Sequence, residues 1–235
     1  MSVSYNTKMV TDSLVLNLDF ANIKSYSGSG TTTLNSIGSE QFTVYGSPTF
    51  SNNGFQIRES YSYPRIQGNL DYDILKQSGT TKAWTLEVCA KLYTSTQGNG
   101  NGWLGEQTLM GRVGWHSGIM LFDNQIYGHI KSSNTNGWSG ALFTSGGYYL
   151  TNGQTYHIVF TYNNKLGKIY INGEYFSLGY LSSEFLIQDH GTQLNFSIGG
   201  SSPNMDLYFG RAYTKELSAD EVKQNFNAIR GRYSI

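Results

Sequence analysis

A hairpin written into residues 156–178 constrains this chain more than any other feature. Tyr156–Tyr162 (YHIVFTY) is apolar on both alternating faces, which suits a central strand covered on two sides. Asn163–Gly167 turns the chain into Lys168–Asn172. Asn172-Gly173 is the pair a type I′ turn asks for, because both central residues take positive φ, and Tyr175–Leu178 returns. A strand covered on both faces needs neighbours, so the rest of the chain must supply more sheet.

The supply is visible. In Trp84–Tyr93, Leu86, Val88, Ala90 and Leu92 face one way, and Glu87, Cys89 and Lys91 the other. Leu14, Leu16 and Leu18 alternate with Val15, Asn17 and Asp19. Shorter strands are expected around Phe42–Tyr45, Gly54–Arg58, Thr108–Arg112, Gly118–Phe122, Gln125–Lys131, Ala141–Thr144, Gln193–Ile198 and Asp206–Tyr213. Asp123-Asn124 has the length of a tight hairpin turn. Asn22–Ser39, dense in Ser, Gly and Thr, reads as a long surface loop, and Thr94–Glu106 as another. Many short strands separated by turns predict an all-β sandwich, and 235 residues suit one such domain.

One helix is expected, over 219–230. Ser218 and Glu221 form a capping box; Val222, Phe226 and Ile229 share a face; Gly231 is placed to end it. Met1–Asp12 is polar and aperiodic, an arm that orders only against a neighbour. The organisation is therefore an arm over 1–13 and one domain over 14–235.

Charge narrows the function. Sixteen Lys and Arg balance sixteen Asp and Glu, leaving no basic footprint for nucleic acid or for an anionic membrane. No apolar run reaches the roughly 18 residues of a membrane span, and Met1–Met9 lacks a leader's apolar region, so folding in a cytosol is expected. Cys89, the only cysteine, reads as a small buried hydrophobe.

Catalysis finds little support. A glycanase needs two carboxylates in one groove, about 5–5.5 Å apart for retention. The strand at 84–93 offers Glu87 alone, which reads as a solvated or edge charge. His116, His129, His157 and His190 are scattered, with no nucleophile elbow and no zinc spacing. Binding is better served. Trp103, Trp115 and Trp138 lie in Gly/Asn-rich stretches, where a ring is a sugar platform, a protein anchor or a roof over the core; Trp84 begins a core strand. Tyr148 and Tyr149 are weaker candidates of the same kind.

Four segments carry a family resemblance. Leu14–Gly30, through Asp19, Ala21, Asn22, Ser25, Tyr26, Gly28, Ser29 and Gly30, resembles the opening of laminin-G-like domains in tailed-phage virion proteins. Trp84–Ala90, Tyr156–Gly173 and the closing Asn195–Tyr233 (with Phe209–Tyr213, Leu217-Ser218 and Gln224–Asn227) resemble later parts of that family. The chain departs from it at Thr32-Thr33, where the family has Thr-Trp.

The resemblance implies a concanavalin A-like (laminin-G-like) jelly-roll β-sandwich with one short C-terminal α-helix. It implies a non-catalytic structural or decoration protein of a tailed-bacteriophage virion, on capsid or tail, made in the host cytoplasm. Its expected partners are other virion proteins, further copies of itself as a homo-oligomer, and a host-surface glycan. It also implies one calcium ion at the rim, for which Asp123, Asn124 and Asp206 are the candidates. Asp123-Asn124 is equally good turn chemistry. A free carbohydrate-binding lectin module is the alternative, and a glycoside hydrolase the third reading.

Overall fold

The alternating segments become two sheets packed face to face. The computed structural model describes residues 8–58, 64–69, 83–94, 107–112, 117–122, 124–131, 140–180, 195–200 and 203–235. In chain order these form β1 (Leu14–Asp19), β2 (Thr32–Leu34), β3 (Gln41–Tyr45), β4 (Thr49–Ser51), β5 (Gly54–Ile57), β6 (Arg65–Asn69), β7 (Trp84–Leu92) and β8 (Gln107–Arg112). There follow β9 (Ser117–Phe122), β10 (Gln125–Lys131), β11 (Gly140–Tyr149), β12 (Gln154–Asn163), β13 (Leu166–Ile171), β14 (Glu174–Tyr180), β15 (Asn195–Gly200), β16 (Met205–Tyr213) and α1 (Ala219–Tyr233).

Sheet 1 runs β14-β13-β12-β7-β16-β5-β4, and β1 shares with β5 the far edge of β16. Sheet 2 runs β11-β10-β9-β8-β15-β6-β3-β2. The result is a two-sheet jelly-roll sandwich with one C-terminal helix, as expected. Leu86, Val88, Ala90 and Leu92 of β7 all face the core, beside Ile158 and Phe160 of β12 and opposite Ile119, Leu121, Ile126 and Ile198 of sheet 2. The sheets approach closely at Gly128, where an added Cβ would lie 2.6 Å from the Phe160 ring. Trp84 stacks on Tyr162 at 5.3 Å and meets Phe160 edge-on at 5.1 Å. The 172–173 turn holds positive φ at both residues, and the Asn172 side chain also accepts a hydrogen bond from the His157 backbone at 2.9 Å.

Sheet 1 is covered on its second face too. Val222, Asn225, Phe226 and Ile229 bury one side of α1 against it, and the Ser218–Glu221 capping box forms. The helix does not end at Gly231. It runs to Tyr233 and stops at Ser234, whose left-handed backbone (φ 54°) lets its N–H donate to the Arg230 carbonyl. Gly231 has open space where a side chain would sit, so packing does not force a turn there, and Tyr233, stacked 4.7 Å from Tyr208, holds the last turn down.

Two other expectations change. Lys8–Ser13 lies on its own sandwich, with Val10 buried among Val159, Tyr170, Tyr213, Leu217 and Val222, so this part of the arm orders without a neighbour. Asn22–Ser39 is not a plain surface loop: it contains β2 and buries Ser25, Tyr26, Thr33 and Asn35. Tyr26 packs against Phe50 and Phe55, while Asn35 accepts from the Asn17 backbone and donates to Val15 and Glu40. Side-chain bridges of this kind leave no periodic trace.

Candidate functional site

Position 87 points away from the core, and this would expose an acid if nothing covered sheet 1. α1 covers it. Glu87 is fully buried, which overturns its reading as a solvated or edge charge. Its Oε1 accepts from His157 Nε2 at 2.9 Å and from Arg211 Nη1 at 3.0 Å; its Oε2 accepts from the Tyr213 hydroxyl at 3.0 Å and from Asn225 Nδ2 at 2.9 Å. Burial alone would push the carboxyl up, but Arg211 and the hydrogen bonds of His157 and Tyr213 outweigh it and hold Glu87 at about 2. Burial and the neighbouring carboxylate push the Tyr213 phenol far up, so it stays a donor.

The cluster extends outward. Arg211 Nε donates to Asn17 Oδ1 at 3.0 Å and its guanidinium lies 4.0 Å from the centre of the Phe209 ring. Asn225 Oδ1 accepts from the Val10 backbone at 2.7 Å, which ties the arm to the helix and the helix to the sheet. The sequence showed Glu87 and His157 but not Arg211 or Asn225, because nothing local says they converge.

Of the residues read as binding or metal sites, Trp103, Trp115, Trp138 and Asp123 lie outside the described residues. Asn124 sits with φ 59° in the turn between β9 and β10 of sheet 2, whereas Asp206 is on β16 of sheet 1, so these two are on different sheets. Asp206 is already engaged: Oδ1 accepts from Arg58 Nη2 at 2.6 Å and Oδ2 from the Tyr93 hydroxyl at 2.9 Å. With a guanidinium on one oxygen and a phenol on the other, Asp206 in this arrangement does not suit calcium. No group of three or more His, Cys, Asp or Glu able to hold a metal occurs among the described residues. Tyr148 packs edge-on against Tyr156 and Phe176, while Tyr149 is exposed.

Asp206 therefore belongs to a different arrangement. Arg58 Nη1 also donates to the Ile57 and Met205 carbonyls at 3.0 and 2.8 Å, and its guanidinium stands 5.1 Å from the Tyr93 ring centre. Lys91 Nζ lies 5.8 Å from the same centre. Burial and the Asp206 carboxylate raise the Tyr93 phenol. This corner is open to solvent, where the Glu87 cluster is sealed.

No protein-family model and no curated protein matches the chain. Solved structures do resemble it in fold. The binding domain of Botulinum neurotoxin serotype G superposes with a TM-score of 0.66 at 15% identity, covering 91% of this chain and 50% of that one. The binding domain of Botulinum neurotoxin DC in complex with SialylT gives 0.65 at 16%, covering 93% and 52%. Trypanosoma rangeli sialidase gives 0.60 at 14%, covering 92% and 33%. The chain thus spans about half of the toxin binding domains and a third of the sialidase, and identities this low carry the fold alone: a jelly-roll β-sandwich with a C-terminal helix.

Proposed function

We propose that this protein is a non-catalytic binding module that engages a glycan or a protein partner through the rim and loops of its sandwich. The observation that carries the reading is the state of Glu87. The one acid of β7, the strand that would carry a glycanase pair, is sealed beneath α1, with all four of its hydrogen bonds made inside the protein, so it cannot reach a substrate. Binding proteins among the fold's relatives support it: one toxin domain is in complex with SialylT and again with rat synaptotagmin II. The setting rests on the resemblance of Leu14–Gly30, Trp84–Ala90, Tyr156–Gly173 and Asn195–Tyr233 to tailed-phage virion domains. In that setting the chain docks on the particle as a structural or decoration protein, against other virion proteins or further copies of itself, and offers its rim to a host glycan.

Mass spectrometry of purified particles tests the setting: stoichiometric presence is expected, and absence removes it. A glycan array tests the module. Saturable binding, weakened by Trp103→Ala, Trp115→Ala or Trp138→Ala, is expected; a blank array removes glycan adhesion, and turnover of any bound glycan removes the non-catalytic reading.

A further inference from the structure

The open corner of sheet 1 around Arg58, Lys91, Tyr93 and Asp206 has a composition that a purely structural ion pair does not need. Arg58 is fixed by three hydrogen bonds, two to backbone carbonyls and one to Asp206, yet its side chain is 45% exposed. A guanidinium carries five N–H donors, so its Nε and one Nη2 hydrogen have no partner among the described residues. Lys91 stands opposite Asp206 in strand register, but its ammonium leans over the Tyr93 ring and pairs with no carboxylate among the described residues. Among the described residues two cations thus stand near one carboxylate, which pairs with Arg58 and not with Lys91. Both cations stand at the ring of Tyr93, the residue after β7, and β16 carries Tyr208, which stacks with Tyr233 at 4.7 Å.

We propose that this corner is a subsite for a carboxylate-bearing sugar, a uronic-acid residue of an acidic glycan. The Nε–H and second Nη2 hydrogen of Arg58, without a partner among the described residues, and the Lys91 ammonium take the carboxylate, for which a planar fork held in place loses little entropy on binding. Asp206 and the Tyr93 hydroxyl read neighbouring sugar hydroxyls, and the Tyr208 ring edge meets the sugar's apolar face. The inference rests on the binding-module reading above and gives it a ligand class.

The probe is D-glucuronate, with D-glucose as its neutral counterpart, which carries a hydroxymethyl group where glucuronate has the carboxylate. Both are titrated into the full chain and followed by amide NMR shifts at Tyr93, Asp206 and Tyr208. Saturable shifts with glucuronate are expected, with glucose at least about tenfold weaker, as loss of a charge-assisted contact implies. Arg58→Gln and Lys91→Gln should each weaken glucuronate by about tenfold, while Lys223→Gln, on the exposed side of α1, leaves it unchanged. Equal response to glucose, undiminished binding by Arg58→Gln, or displacement by equimolar inorganic phosphate would overturn the proposal. If glucuronate fails while neutral glycans bind on the array, this subsite falls and glycan adhesion stands; a blank array removes glycan adhesion and this subsite with it, leaving a protein partner for the module.

Discussion

A carboxylate withdrawn from water survives as an anion only if the protein replaces its solvation, and Glu87 receives one guanidinium, one imidazole, one phenol and one amide for its two oxygens. Glu87→Gln leaves Arg211 buried without its counter-charge, so a loss of about 3–5 kcal/mol is expected, read as a lowered urea midpoint. The pH dependence has a definite sign. Glu87's carboxyl is held at about 2, below its ordinary 4.5. Its contribution is therefore complete above pH 4.5 and is lost as pH falls through 2. The gap in stability between wild type and Glu87→Gln should be constant at neutral pH and narrow on acidification; a gap that widens would contradict the assignment. The acid itself was legible in the sequence, but its burial was not. Arg211 is 124 residues away and Asn225 is 138, and a polar residue on a short helix reads as solvent-facing until the helix is seen to cover it.

Among the elements, α1 shows how far local rules reach. Its cap and apolar stripe follow from Ser218, Glu221, Val222, Phe226 and Ile229 alone. Its end does not, because glycine stops a helix only when the chain must turn, and tertiary stacking of Tyr233 keeps it going. Gly231→Ala should therefore stabilise the protein by about 0.5–1 kcal/mol, seen as a raised Tm, since the new methyl meets nothing within 4 Å. The arm is held by Val10, by Asn225 and by the Gln224 bond to the Lys8 carbonyl at 2.7 Å. Val10→Ala should cost about 1–2 kcal/mol by the two methyls it withdraws from the cluster. The strands missed in the sequence, β2, β4 and β6, are three to five residues long, too short for alternation to stand out from loop composition.

At the scale of the molecule, the class of fold was legible because it depends on alternation and turns, which are local. Strand order was not, since β16 finds β7 on one side and β1 with β5 on the other across long stretches of sequence. The buried cluster joins those strands: Asn17 of β1, Glu87 of β7, His157 of β12, Arg211 and Tyr213 of β16, and Asn225 of α1. α1 should consequently open with the sandwich and not by itself. Amide exchange at Val222–Ile229 is expected to report nearly the same opening free energy as Leu86–Val88 in β7; much faster exchange in the helix would show it unfolds separately.

The pairing of β1 with β16 carries a consequence for synthesis. Leu14–Asp19 is translated before its partners at Phe209–Tyr213, which follow close to two hundred codons later. Until then β1 waits with its β16-facing edge unpaired, and β7 lacks its neighbour on that flank. The nascent chain must be kept from joining another copy by that edge, so chaperone occupancy and expression temperature should govern the soluble yield more strongly than the stability of the finished fold.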